Sequence, residues 1–186
     1  TRGIEGMKQW TLHFDDVVVD DLIGEEHLGV MPMFEVLNAE RTLAAATAIG
    51  TAEHLLYRAV EYAKDRKVFG DKPIGAHQAI QHPLAEIKAQ LEAVRLLFYK
   101  CATLFDQNAS VHEIGPLSTM CKYLAGELAI KAADAALQTH GGNGFSSDYG
   151  LIDAYVNTRL LRTAPISREM VLNHVAEHVL GLPRSY

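Results

Sequence analysis

Three glycines within four positions, Gly141, Gly142 and Gly144, interrupt a long segment of helical apolar periodicity and so limit how this chain can fold. Glycine lowers helix stability and is tolerated where a turn needs a positive φ or where a partner approaches the backbone closely. We therefore predict that a helix stops at Gly141. The turn that follows either connects two helices tightly or receives a ligand, and the glycines alone leave both interpretations open.

Apolar residues recur at helical spacing through most of the chain and predict four helical segments. These segments cover about 34–66, 77–105, 115–139 and, with a break at Pro165, 147–161 continued by 167–180. Long helices with short polar connections are typical of an up-and-down four-helix bundle, in which consecutive helices are antiparallel. Small residues dominate positions 42–52, which indicates either close helix packing or room for a thin ligand.

The segment before the first helix has the alternation of a half-buried β-strand, because Trp10, Leu12 and Phe14 are separated by polar residues. One strand cannot make a sheet, so we expect its partners to come from polypeptide that precedes Thr1. The predicted organisation is therefore the end of a β-domain over residues 1–30, followed by a helical bundle over 31–186. The predicted fold class is mainly α.

Composition places the chain among ordinary globular domains, with 186 residues, 48% hydrophobic and 22% charged. A formal net charge of −6 argues against nucleic acid or an anionic membrane surface as the main partner. No apolar run approaches the roughly 20 residues of a membrane span. Cys101 and Cys121 form no CxxC pair, so we interpret them as core residues of a protein from a reducing compartment.

Four short motifs stand in a fixed order: Asn38-Ala-Glu40-Arg41, Arg66-Lys-Val-Phe69-Gly70, His77-Gln78, and Gln138-Thr-His-Gly-Gly. In this order and at these separations they resemble the C-terminal half of the acyl-CoA dehydrogenase family. The resemblance covers nearly the whole chain. It implies an FAD cofactor, α,β-dehydrogenation of an acyl-CoA thioester, a tetramer, and an electron-transfer flavoprotein as acceptor. It also implies either the bacterial cytoplasm or the mitochondrial matrix, between which the sequence does not decide.

The resemblance implies that Glu40 is the catalytic base. Many family members place this glutamate in a turn before the last helix, and that position is Pro165 in this chain. The isovaleryl-CoA and long-chain types carry it on the first bundle helix instead, directly before an arginine, as in Glu40-Arg41. A carboxylate at the edge of an apolar cavity is made a better base by desolvation. The alternative is a solvated glutamate near a helix start.

The same resemblance implies that Asn38 contacts the CoA ester and that Arg41 packs under the substrate. In the family, a backbone N–H of the turn near Pro165 binds the thioester oxygen, but proline has no N–H to donate. Either Ala164 or Ile166 supplies the donor through a shifted turn, or the substrate is held differently.

The resemblance further assigns two sets of flavin contacts. The contacts to the FAD of a neighbouring subunit fall to Arg66, Phe69, Gln78, Gln138, Gly141 and Gly142, and those to the chain's own flavin fall to Ser167 and Glu169. Arginine suits such a site because its planar fork binds phosphate oxygens. Outside this context, Arg66 would indicate a salt bridge and Phe69 a core aromatic.

Two departures from the family pattern weaken the resemblance, and other functions stay open. Asp153 stands where the family pattern continues to a basic residue, and Pro165 favours flavin-dependent monooxygenases or oxidases of the same architecture. A catalytically silent bundle that assembles with an active homologue is a third possibility. His174 and His178 have the i, i+4 spacing of metal ligands, but no further ligand has a matching spacing, so we predict no metal site.

Overall fold

The computed structural model describes residues 6 and 8–185, and their side chains except those of residues 31, 34 and 35. The helices of this part are α1 (Val30–Asp65), α2 (Gln78–Asp106), α3 (Val111–His140), α4 (Leu151–Leu160) and α5 (Arg168–His174). These bounds confirm the predicted mainly α fold and its break near Pro165. Across the residues described, none of the helices combines the length and apolar character that crossing a bilayer requires.

The helices alternate in direction, as the up-and-down prediction requires. On the flanks of α2, Arg95 pairs with Glu53 of α1 at 2.7 Å, and Lys131 of α3 pairs with Glu86 at 2.6 Å. The most extensive interface joins α1 to α3, which are parallel. Helix α4 then runs back along α3, and α5 completes the fourth position of the bundle.

Small side chains allow α1 and the other long helices to pack closely. Ala45, Ala48 and Ala52 of α1 are at most 1% exposed and belong to one apolar core. This burial favours the close-packing interpretation of residues 42–52. Cys101 of α2 and Cys121 of α3 are fully buried in the same core, which confirms that they are core residues.

The ends of α3 follow from local sequence. Ser110 and Glu113 form a capping box, in which the Ser110 N–H donates to the Glu113 carboxylate at 3.2 Å. At the other end Gly141 adopts φ 58°, a conformation that disfavours side chains, and α3 stops there as predicted. A 3₁₀ turn over Gly141–Phe145 leads into the connection to α4.

The predicted strand is not formed. Within residues 8–29 there is no β-strand, and the alternating side chains Trp10, Leu12 and Phe14 are 76%, 71% and 74% exposed. A strand exists only through hydrogen bonds to neighbours, and the described chain supplies none here. Because the expected neighbouring strands would precede Thr1, the assignment of residues 1–30 to the end of a β-domain stays a prediction. Residues 1–5 and 7 of this segment lie outside the described residues.

Candidate functional site

The predicted site residues lie in two groups at opposite ends of α1. The first group, the Asn38 end, surrounds Asn38 and the loop that precedes α5. The second group, the Arg66 end, surrounds Arg66 and the glycine turn after α3. Because α1 and α3 are parallel, Tyr62 near the end of α1 stacks on His140 at the end of α3, with ring centroids 4.0 Å apart.

Asn38 is a buried polar residue that fixes the side chain of Arg41. Its Oδ1 atom accepts a hydrogen bond from Arg41 Nη1 at 2.9 Å and approaches the Ser118 hydroxyl of α3 at 3.5 Å. Burial lowers the pKa of Arg41, and the neighbouring Glu40 partly offsets this effect. The guanidinium is thus held against the interior of the bundle. Its Nε atom is buried without a hydrogen-bond partner among the described residues.

Glu40 lies beside Asn38 and the half-buried Arg41 but on the exposed side of α1. Its carboxylate accepts no hydrogen bond from the residues that the structure describes, and Arg41 is its electrostatic neighbour. The group is therefore free to meet a ligand. A closed binding cavity around the Glu40 carboxylate requires a second protein surface that faces this side of α1.

Residues 161–167 form a loop, here called the return loop. Helix α3 contacts this loop at three points. A Cβ atom at Gly126 would lie 2.9 Å from the Leu161 carbonyl oxygen, so the loop backbone touches the helix there. Arg162 then forms a bidentate ion pair with Glu127, with N–O distances of 2.7 and 3.0 Å. Finally, Lys122 Nζ donates to the carbonyl oxygen of Ile166 at 2.6 Å.

Sequence reasoning missed Lys122, which is only 2% exposed. The pKa of Lys122 is lowered to about 8, mainly by burial and also by the nearby charge of Arg41, while Glu127 opposes the shift. A signal was present in the helical periodicity. Lys122 shares its face of α3 with the buried Ser118, Ala125 and Ala129, so the spacing places it inside.

Two backbone N–H groups of the return loop, those of Ile166 and Ser167, have no hydrogen-bond acceptor among the described residues. The Ala164 N–H already donates to the Leu160 carbonyl at 2.9 Å, and Pro165 has none. Within residues 8–185, the Ile166 N–H has no hydrogen-bond acceptor. Of the two donors that the sequence left open, Ile166 is therefore the available one.

The two residues assigned to the chain's own flavin begin α5. Ser167 is the N-cap, and its hydroxyl accepts a hydrogen bond from the Met170 N–H at 3.3 Å. Glu169 is exposed in the first turn, where the helix dipole favours a negative charge. Ser167 is the last residue of the return loop and Glu169 follows it by two residues, so both lie at the Asn38 end.

The side chain of His174 in α5 faces the interior of the bundle at the Asn38 end. Burial lowers its pKa, and His178 and Arg41 lower it further. Its Nε2 atom is buried without a hydrogen-bond partner among the residues described. The His174 and His178 rings lie 4.7 Å apart. In the described part of the chain, no group of three or more His, Cys, Asp or Glu side chains could hold a metal ion.

The Arg66 end contains an open cleft of about 420 Å³, whose lining includes Arg58, Arg66, Asn143 and Tyr149. Asn143 follows the glycine pair, and its side-chain amide donates to the Tyr62 hydroxyl at 2.9 Å. The structure therefore brings Arg66 together with the glycine turn, as the motif order implied. Arg58, Tyr62 and Asn143 had no recognisable signal in the sequence.

The other residues of the Arg66 end are all exposed. Gln78 begins α2, and Gln138 lies in the last turn of α3. A Cβ atom at Gly141 or Gly142 would meet no other atom within 4 Å, so the backbone is open on that side. Phe69 is fully exposed at φ 53°, which excludes the interpretation as a core aromatic.

This donor set has the chemistry of a dinucleotide site. Arg58 and Arg66 provide planar cations for phosphate oxygens, and the bare backbone of the glycine turn permits close approach. The exposed ring of Phe69 can cover a base or ring edge of a ligand.

Comparison with known proteins identifies the family of the chain. The profile of the acyl-CoA dehydrogenase C-terminal domain matches residues 29–180. Acyl-CoA dehydrogenase FadE12 of Mycobacterium tuberculosis is 44% identical over 181 residues, which are 96% of this chain and 46% of that protein. The chain thus spans about half the length of this relative.

Solved structures extend the likeness to three dimensions. Butyryl-CoA dehydrogenase of Megasphaera elsdenii has a TM-score of 0.79 and 31% identity, over 84% of this chain and 40% of that one. PigA, in a structure with FAD and proline, has a TM-score of 0.84 and 27% identity, over 91% and 43% of the two chains. From the matched profile and the curated relative, this chain belongs to the acyl-CoA dehydrogenase family.

Proposed function

We propose that this chain is the C-terminal part of an FAD-dependent acyl-CoA dehydrogenase, which oxidises the Cα–Cβ bond of an acyl-CoA thioester. Residues 1–30 are then the end of its β-domain, and residues 31–186 are its helical bundle. One observation carries the proposal. The exposed Glu40 directly precedes Arg41, which donates to the buried Asn38, at the end of the bundle where Lys122 holds the return loop.

The chemistry divides between a base and a set of cations. The Glu40 carboxylate removes a proton from the carbon next to the thioester carbonyl. Bound FAD would supply the acceptor for the hydride of the adjacent carbon. Negative charge develops on the thioester oxygen as the proton leaves. The Ile166 N–H donates to this oxygen, and the charges of Arg41 and Lys122 favour the developing anion. Asn38 keeps Arg41 in place for the CoA ester.

The Arg66 end binds the nucleotide part of FAD from a neighbouring copy of the chain in this proposal. Arg66, Phe69, Gln78, Gln138, Gly141 and Gly142 provide those contacts, whereas Ser167 and Glu169 contact the chain's own flavin. A cofactor shared across an interface makes the protein an oligomer, and we propose a tetramer. Electrons then leave to an electron-transfer flavoprotein.

The test uses the full-length protein and replaces Glu40 by glutamine. Acyl-CoA esters of varied chain length are added without oxygen, and bleaching of the flavin absorbance is timed. We expect Glu40→Gln to bleach at least about 100-fold more slowly than the unmodified protein, because a positioned general base contributes on that order. Glu53→Gln is the matched control, since Glu53 lies on the same helix and pairs with Arg95 at 2.7 Å. Equal bleaching by Glu40→Gln and the control excludes Glu40 as the base.

Pro165 supports one second candidate, a flavin-dependent oxidase or monooxygenase of the same fold. Proline removes both the carboxylate and the backbone donor from the position that many relatives use. Such an enzyme would consume oxygen. Without oxygen, addition of acyl-CoA would not bleach its flavin absorbance. Failure of the full-length protein to bind either FAD or an acyl-CoA ester would instead indicate a silent assembly partner.

A further inference from the structure

We propose that Lys122 is a positioning residue whose ammonium group holds the return loop so that the Ile166 N–H points at the thioester oxygen. The inference rests on the proposed function, because it assigns that N–H to the substrate. It adds a residue that lies behind the reacting groups and does not contact them.

The geometry of the loop gives Lys122 this task. The start of the loop is fixed by the Arg162–Glu127 ion pair and by the close approach of Leu161 to Gly126. The end of the loop is tied to α3 by the hydrogen bond from Lys122 to the Ile166 carbonyl, 2.6 Å long, across 44 residues of sequence.

The same residue, Ile166, presents its carbonyl to Lys122 and an unused N–H on the other side of its Cα atom. Holding the carbonyl limits rotation of the backbone at Ile166 and therefore limits the directions that the N–H can take. Preorganised donors of this kind are effective because they need no rearrangement as charge develops.

The surroundings of Lys122 make the carbonyl contact necessary. Its side chain is 2% exposed, so water cannot satisfy the ammonium group. The charged neighbours are Arg41 of α1, which repels it, and Glu127 of α3, which attracts it but is engaged by Arg162. The Ile166 carbonyl is the hydrogen-bond acceptor that the described residues offer to Lys122.

The experiment measures the thioester carbonyl directly. The full-length protein carries Glu40→Gln, so that a ¹³C=O-labelled acyl-CoA ester binds without turnover, and infrared difference spectra record its carbonyl stretch. We expect a shift to lower frequency relative to the free ester, and we expect Lys122→Met to remove most of that shift. Lys131→Met is the matched control, since Lys131 lies on α3 and pairs with Glu86 at the surface. It should keep the shift.

Turnover supplies a second readout in protein with Glu40 intact. We expect Lys122→Met to lower kcat by about 10-fold or more with little change in KM, as for an interaction that strengthens in the transition state. A purely structural lysine would lower the melting temperature and leave the carbonyl frequency unchanged. If Lys122→Met does not fold, Lys122→Gln replaces it, because the amide stays polar but ends short of the Ile166 carbonyl.

The outcomes separate the two proposals. An unchanged carbonyl shift in folded Lys122 variants overturns the role of Lys122 and leaves the proposed function standing. Absence of any bound thioester, together with no turnover by the unmodified protein, overturns both.

Discussion

Gly126 and Leu161 are in direct backbone contact: a Cβ atom added at Gly126 would lie 2.9 Å from the Leu161 carbonyl oxygen and 3.4 Å from its carbonyl carbon. The neighbour is main chain, so no flexible side chain can move aside. The absence of a side chain at one position of α3 therefore determines how closely the return loop approaches the bundle.

Gly126→Ala should destabilise the protein by about 1–3 kcal/mol, the usual cost of overpacking, because the loop must move outward. Thermal or urea unfolding measures this change. Gly50→Ala is the matched control, since Gly50 is exposed within α1 and an added Cβ meets nothing within 4 Å. It should stabilise the helix by about 0.5–1 kcal/mol. Equal effects from the two alanines would contradict a tight contact at Gly126.

Lys122 should make stability depend on pH in the alkaline range. Its pKa is lowered to about 8 in the folded protein from 10.5, so between these values the unfolded chain binds more protons. The free energy of unfolding gains a positive slope with pH there, because the cost of burying the charged form is relieved. Unfolding curves of the unmodified protein minus those of Lys122→Met should show a rise of at most about 3 kcal/mol between pH 8 and pH 10. Parallel curves would show that the lysine is not desolvated.

Arg66→Gln should reduce the amount of FAD that copurifies with the full-length protein, because the cleft loses a planar cation for phosphate. We expect at least a 10-fold higher dissociation constant for FAD, measured by flavin fluorescence after removal and readdition of the cofactor. Lys64→Gln is the control, since Lys64 lies two residues before Arg66 and pairs with Glu61 at the surface. Equal FAD affinity in both variants would remove Arg66 from the flavin site.

Ser167→Ala should cost about 1 kcal/mol of stability, because α5 loses its N-cap hydrogen bond. If Ser167 also contacts flavin, the flavin content falls at the same time. Ser167→Thr keeps the hydroxyl and should retain both properties. A variant that loses stability but keeps full flavin content would restrict Ser167 to its capping role.

The parts of the fold that were predictable are those with a local cause. The stop of α3 at Gly141 follows from one residue with a positive φ, and the long helices follow from their apolar periodicity. The strand near Trp10 was predicted with the same local logic. It is not formed in the described chain, because alternation supplies a suitable face but not the neighbouring strands.

The Asn38 end was only partly predictable, because its decisive contacts join distant residues. The Lys122–Ile166 hydrogen bond has no local signature, and a single lysine in a helix is normally read as exposed. Motif order did identify Glu40, Arg41 and Asn38. The roles of these three in binding and catalysis stay predictions until the variants are measured.

Because α1 is long, one chain would contribute residues to two different active sites of the proposed oligomer. Glu40 and Arg66 are separated by 26 positions along one continuous helix, or about 39 Å at 1.5 Å per residue. That separation exceeds the reach of a single dinucleotide. If Glu40 acts on a substrate beside one flavin, Arg66 of the same chain then contacts a different flavin molecule. Hybrid assemblies of two inactive variants, one altered at Glu40 and the other at Arg66, should then regain activity at the sites where an intact residue comes from each parent.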